Sequence, residues 1–175
     1  MKHKKHTFNF FVKLFHPKEH KSSVQSINLN KLKRKGIKGL IVDLDETLRK
    51  RNSSFIPKES LKWVQEAKNK GFKVCVISNN IFPWKRKKIQ DKFHVPIALF
   101  SLKPLPFAIK KAMSMLKTNE DSTALIGDQL YSDILGANML GLHSILVDPM
   151  SKTEKGPVRR MVRWIERKIY TGKSA

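Results

Sequence analysis

The chain reads as an α/β protein built on a mainly parallel, five-stranded sheet with helices on both faces. Two observations predict this. From Ile37 onward, short apolar runs rich in β-branched residues alternate with stretches of helical length, the pattern of strands joined by crossover helices. The polar residues best suited to chemistry follow directly after those runs, at the carboxyl ends of the strands, where open sheets of this class bind ligands. With 175 residues, 40% of them hydrophobic, the chain is long enough for one domain with its own core.

The elements follow in order. The run from Ile37 to Val42 predicts a first strand, Gly39–Asp43. Residues 57–70 open with a proline and an acid and stop at Gly71, as helices do. Residues 72–78 form a second strand that buries Cys75. One cysteine builds neither a disulfide framework nor a zinc cluster, which fits a reducing, cytoplasmic compartment. A helix over 82–92, a strand over 97–100 and a helix over 104–117 come next. The strand Thr123–Gly127, a helix over 129–140 stopped by Gly141, the strand His143–Val147 and a helix over 156–170 complete the series. Residues 1–36 are expected as a basic arm with a short helix over 29–35, residues 37–150 as the core, and 151–175 as a basic amphipathic helix packed on it. About fourteen residues separate Asp43 from the next helix, and Ser78 to Lys103 holds one helix and one short strand. Neither interval has room for another domain, so a site at these strand ends would lack a large lid.

Four chemistry-bearing elements fall at the ends of four successive strands: Asp43/Asp45/Thr47, then Ser78-Asn79-Asn80, then Lys103-Pro104, then Asp128 with Asp133. Alone, Asp-x-Asp serves as a turn or helix cap, Ser78 as a cap of the next helix, and Lys103 as one surface lysine among many. Together they supply what phosphoryl transfer needs. That is a carboxylate nucleophile, a second carboxylate to move a proton, hydroxyl and amide donors, a cation, and acids for Mg²⁺.

These residues resemble the motifs of the haloacid dehalogenase (HAD) superfamily of phosphatases: Asp43-x-Asp45-x-Thr47, Ser78, Lys103 and Gly127-Asp128-x-x-x-x-Asp133. The strings around the first and last motifs are similar to the capless, subclass III YqeG-type branch, which is related to mitochondrial and cyanobacterial phosphatidylglycerophosphatases. The resemblance covers about residues 24–170 and implies a Rossmann-like HAD fold without a large cap. It implies Asp43 as nucleophile, forming an aspartyl-phosphate, and Asp45 as general acid and base. Ser78 and Asn79 would bind phosphoryl oxygens, Lys103 would neutralise charge between nucleophile and phosphate, and Thr47 would stabilise the loop. Mg²⁺ would be held by Asp43, the Asp45 backbone carbonyl and Asp128, supported by Asp133. Two departures stand out. Glu46 replaces the asparagine more usual in that branch, and Arg49-Lys50-Arg51 replaces an apolar or aromatic stretch. The basic triplet is expected as an exposed loop, with a clamp for an anionic head group as the alternative.

Charge bears on the partner. The chain has 36 basic and 14 acidic residues, formally +22. Residues 1–40 carry eleven Lys/Arg against Glu19 alone, and residues 151–175 carry eight against two acids, so both ends should be drawn to polyanions. Val158, Met161, Val162, Ile165 and Ile169 share one helical face and Arg159, Arg160, Arg163 and Arg167 the other, with Trp164 at the flank. Phe8, Phe11, Val12 and Phe15 also have helical spacing, as in an interfacial segment. No run approaches the ~20 apolar residues of a membrane span. The expectation is a cytoplasmic phosphatase, peripheral at the inner face of the membrane, acting on an anionic lipid. Phosphatidylglycerophosphate is the favoured substrate. A soluble phosphomonoester or phosphoprotein is the alternative, as is a nucleic-acid- or ribosome-associated role, for which no reading motif is present.

Overall fold

The computed structural model describes residues 14–78, 83–99 and 106–151. Its strands are β1 (Glu19–Lys21), β2 (Gly39–Asp43), β3 (Lys73–Ser78), β4 (Ile97–Leu99), β5 (Thr123–Gly127) and β6 (His143–Val147). Its α-helices are α1 (Leu29–Arg34), α2 (Lys58–Asn69), α3 (Pro83–Phe93), α4 (Pro106–Leu116) and α5 (Leu135–Met139). The strands form one sheet in the order β1-β6-β5-β2-β3-β4, with every pairing parallel. The predicted fold class holds, but the sheet has six strands rather than five. The sixth, β1, lies in the stretch expected as an appended arm and pairs Glu19 with Ile145 and Lys21 with Val147. Its sequence, Glu-His-Lys, has no apolar period to betray it. Tertiary bonds hold it instead. Asn138 donates to the Leu14 and His16 carbonyls at 2.8 and 2.9 Å, and the Lys18 N–H donates to Ser144 Oγ at 3.0 Å.

Alternation along each strand sorts the core into two layers. Leu40 and Val42 of β2, Val74 and Val76 of β3, and Ala124 and Ile126 of β5 pack on the side of α1, α2 and α3. Ile41, Cys75, Ile77 and Leu125 face the other way, onto Ile109, Ala112 and Met113 of α4 and Ala137 of α5. Both faces are therefore covered, which is why the central strands read as continuous apolar runs. Cys75 is buried, as expected. Helix α2 stops where predicted. Gly71, at φ 88°, donates to the Lys68 carbonyl at 2.8 Å, a conformation that glycine adopts without a Cβ penalty.

The path of the chain sets the location of the site. From β2 it proceeds outward to β3 and β4, then crosses back to β5 on the opposite side of β2 and continues to β6. The strand order reverses between β2 and β5, the point beyond whose carboxyl ends open sheets of this class bind ligands. The segment beyond β2 in this region is short, at residues 44–57. The helix expected over 129–140 is divided. Leu130–Ile134 forms a π-helical turn, and only Leu135–Met139 continues as α-helix. The helix expected over 156–170 lies outside the described residues.

Candidate active site

Asp43 is the last residue of β2, in register with Ile77 of β3, and the Leu44 N–H extends that ladder by donating to the Ile77 carbonyl at 3.1 Å. The side chain of Leu44 is fully buried and pins the loop that follows. The N–H groups of Leu48 and Arg49 both return to the Leu44 carbonyl at 3.0 Å, closing a tight turn around Asp45 and Glu46. Glu46 occupies the left-handed region at φ 71°, uncommon for a residue with a side chain. Its carboxylate explains why the position holds a glutamate. Oε1 accepts from the Arg51 N–H at 3.0 Å and the Ser151 hydroxyl at 3.2 Å, and Oε2 accepts from the Ser151 N–H at 2.8 Å. Glu46 thus ties the turn after β2 to the segment after β6.

Asp128 follows β5 immediately, and Asp133 sits on the π-helical turn. Asp43, Asp128 and Asp133 are all buried, and each turns a carboxylate oxygen to within 4.8 Å of the others. Gly127 makes this approach possible, because a Cβ there would collide with the Asp133 carboxylate. The π-helical turn contributes too: the N–H groups of Asp133 and Ile134 both reach the Gln129 carbonyl, at 3.0 and 3.2 Å. The Gln129 N–H in turn donates to Asp133 Oδ2 at 3.1 Å. Such insertions in helices recur at functional sites because they re-aim one side chain.

Asp45 is buried and held from two sides. Ser78, at the end of β3, donates its hydroxyl to Oδ2 at 3.2 Å, and Arg49 donates from Nε to Oδ1 at 3.1 Å. Thirty-three residues separate Ser78 from Asp45, and the parallel register of β2 with β3 closes that distance. Arg49 departs from the exposed basic loop expected of it. It is 8% exposed and also donates from Nη1 to the Ser53 carbonyl at 2.9 Å. The four-residue interval between Asp45 and Arg49 was the available signal, one that on a helix would announce an ion pair but in a loop predicts nothing. The Thr47 hydroxyl is buried without a hydrogen-bond partner among the described residues. Asn79, Asn80 and Lys103 lie outside the described residues.

The structure therefore brings together Asp43, Asp128 and Asp133, and separately joins Asp45 to Ser78. Three buried carboxylates in mutual proximity favour a cation among them. Their hard oxygen donors suit Mg²⁺ better than a softer metal. Acids at the switch point of a parallel sheet stand where such folds bind ligands, and they could hold a metal ion beside a phosphoryl group. Residues 102–159 match the family model described as HAD-hydrolase-like. The chain belongs to the HAD-like phosphatases. It is 33% identical over 159 residues to the protein named "Probable phosphatase YqeG" from Bacillus subtilis (strain 168), covering 91% of each chain. It is also 34% identical over 86 residues to a glyceraldehyde 3-phosphate phosphatase of Pyrococcus furiosus, a match that covers 45% of this chain and 36% of that one. A putative HAD superfamily (subfamily III A) hydrolase from Legionella pneumophila superposes with a TM-score of 0.53 at 19% identity, covering 81% of this chain and 85% of the other, a likeness of fold.

Proposed function

We propose that the protein is a Mg²⁺-dependent phosphomonoesterase that works through an aspartyl-phosphate on Asp43. The observation carrying this reading is the convergence of Asp43 with Asp128 and Asp133, beside an Asp45 carboxylate held by Ser78. Asp43, Asp128 and the Asp45 backbone carbonyl would hold the ion, with Asp133 in support. When bound, Mg²⁺ offsets the charge that otherwise keeps an anionic nucleophile from an anionic phosphate. Asp43 then attacks phosphorus, the bond to the ester oxygen breaks, and Asp45 delivers a proton to the departing alkoxide. Asp45 next takes a proton from the water that cleaves the aspartyl-phosphate, releasing phosphate and restoring Asp43. Ser78, Asn79 and Lys103 would orient and neutralise the phosphoryl group. Phosphate release in the presence of Mg²⁺, compared between the native protein and Asp43→Asn, tests the chemistry. Equal release by both would refute it.

Within this reading the favoured substrate is phosphatidylglycerophosphate at a membrane surface. The net charge of +22 and the concentration of Lys and Arg at both ends support an anionic surface as partner. Phe107 in the first turn of α4 and Tyr131 in the π-helical turn are exposed aromatics on elements that begin at the carboxyl edge of the sheet. No helix among the described residues is long and apolar enough to cross a membrane. A soluble phosphomonoester is the second reading, favoured by the resemblance to a glyceraldehyde 3-phosphate phosphatase. A substrate panel offered with and without anionic vesicles separates the two.

A further inference from the structure

Arg49 has no part in the chemistry just described, yet its side chain is nine-tenths buried against the residue proposed to move the proton. Burying a guanidinium is costly unless its charge and N–H groups are matched. Here the charge and two of the N–H groups are matched at fixed points. Nε donates to Asp45 Oδ1 at 3.1 Å, and Nη1 donates to the Ser53 carbonyl at 2.9 Å. The planar fork of arginine spans two such acceptors and stays charged throughout. Ser78 meanwhile donates to the other oxygen, Oδ2, at 3.2 Å. The Asp45 carboxyl is thus clamped between β3 and its own loop, and its plane is set by two donors on opposite sides. The N–H of Glu46 closes the same loop onto the Arg49 carbonyl at 2.6 Å, so backbone and side chain of Arg49 both brace the turn.

We infer that Arg49 is a positioning residue that aims Asp45 at the leaving-group oxygen and pairs with the carboxylate formed as the proton departs. This rests on the aspartyl-phosphate reading above. In the step concerned, the Asp43–phosphorus bond forms and the phosphorus–ester oxygen bond breaks. The electron pair goes to the ester oxygen, and the Asp45 proton joins it to give a neutral alcohol. Asp45 is left anionic against a guanidinium already in place, so no group has to reorganise to meet the new charge.

The test uses the full-length chain and esters that differ in their need for that proton. An alkyl phosphate such as glycerol 3-phosphate expels a strongly basic alkoxide, whereas p-nitrophenyl phosphate expels a phenolate that needs little help. The quantity to compare is kcat/KM, which reports the steps up to loss of the alcohol. Arg49→Met should lower kcat/KM for the alkyl ester by about 10–100-fold, part of the whole general-acid effect, and that for the aryl ester by no more than about 3-fold. The loss should fall in kcat with KM little changed, and Arg49→Lys should restore part of it. Asp45→Asn supplies the upper limit of the split. Equal losses on both esters would assign Arg49 a merely structural role, and no loss on either would remove it from the reaction; both results overturn the inference. Asp43→Asn, run beside these, separates the levels. If it hydrolyses both esters as well as the native protein, the aspartyl-phosphate reading falls and this inference with it. If it is inactive while the Arg49 variants show no split, only the role of Arg49 falls.

Discussion

At the scale of single residues, position 127 shows how the site constrains the chain. Glycine there leaves room for the Asp133 carboxylate, and any Cβ would take that space. Gly127→Ala should therefore cost on the order of 1–3 kcal/mol of stability, as overpacking does, and displace Asp133 from the acid cluster. A thermal melt measures the first effect, and the Mg²⁺ concentration giving half-maximal phosphate release measures the second. Asp133→Asn removes the charge without the crowding. It should raise that Mg²⁺ requirement by roughly 10–100-fold, the usual consequence of losing a supporting group, while the melt changes far less than for Gly127→Ala. On the proposed mechanism, Asp43→Asn should reduce phosphate release by roughly 10³-fold or more at any Mg²⁺ concentration, because no added metal would replace the nucleophile. These residues were legible from their order along the chain. Arg49 and Glu46 were not recognised as parts of the same loop framework, because Glu46 meets Ser151 only after folding and the short interval from Asp45 to Arg49 predicts no contact in a loop.

At the scale of elements, one carboxylate of β1 adds an ionic tie to the bonds that hold the strand. Glu19 accepts from Lys35 Nζ at 2.7 Å and pairs with His143 Nε2 at 3.1 Å, with Lys31 and Lys21 within 3.6 and 3.7 Å. Burial opposes its ionisation, but the bonds from Lys35 and His143 and the charges of Lys35 and Lys31 prevail, holding its pKa at about 2. Burial, followed by the Lys35 charge, shifts His143 below its ordinary value of 6.5 against the pull of Glu19. Both groups bind protons less readily folded than unfolded, so stability rises with pH across each window. The Glu19 contribution is complete above its ordinary pKa of 4.5 and is lost as pH falls toward about 2; the His143 contribution begins to fade below 6.5. Glu19→Gln should thus destabilise the protein by on the order of 2 kcal/mol at pH 7, after allowance for solvent screening, and by almost nothing near pH 2. Chemical denaturation at the two pH values checks this. A pH-independent difference would mean that packing of the side chain, rather than its charge, secures β1.

At the scale of the whole molecule, a strongly basic protein has its acid cluster at the switch point of a parallel sheet. Removal of divalent metal with EDTA should abolish phosphate release, and Mg²⁺ should restore it. If phosphatidylglycerophosphate in a bilayer is the substrate, the full chain should bind vesicles containing phosphatidylglycerol and lose them as salt rises. Each well-placed Lys or Arg contributes roughly 1 kcal/mol to such binding, screened within a Debye length of about 8 Å at physiological salt. Co-sedimentation measures the binding. Turnover of soluble esters unaffected by vesicles, with no vesicle binding, would instead favour a soluble phosphomonoester.

Periodicity in the sequence by itself determined the five apolar strands, most of the helices and both covered faces, because burial on both sides leaves continuous apolar runs that only a parallel sheet accommodates. The order of Asp43, Ser78 and Asp128 at strand ends likewise placed the candidate site on one edge. Only the tertiary structure decided the rest. Strand β1 carries no hydrophobic pattern, since its register is imposed by Asn138, Ser144 and β6 from more than a hundred residues away. The π-helical turn is a difference of one residue in a ladder whose composition still looks α-helical. Arg49, which by composition belongs on a solvated surface, is drawn inward because Asp45 and the Ser53 carbonyl together match its charge and two of its N–H groups. Local pattern sets which segments must be buried; which polar groups meet is set by distances that exist only after the sheet has formed.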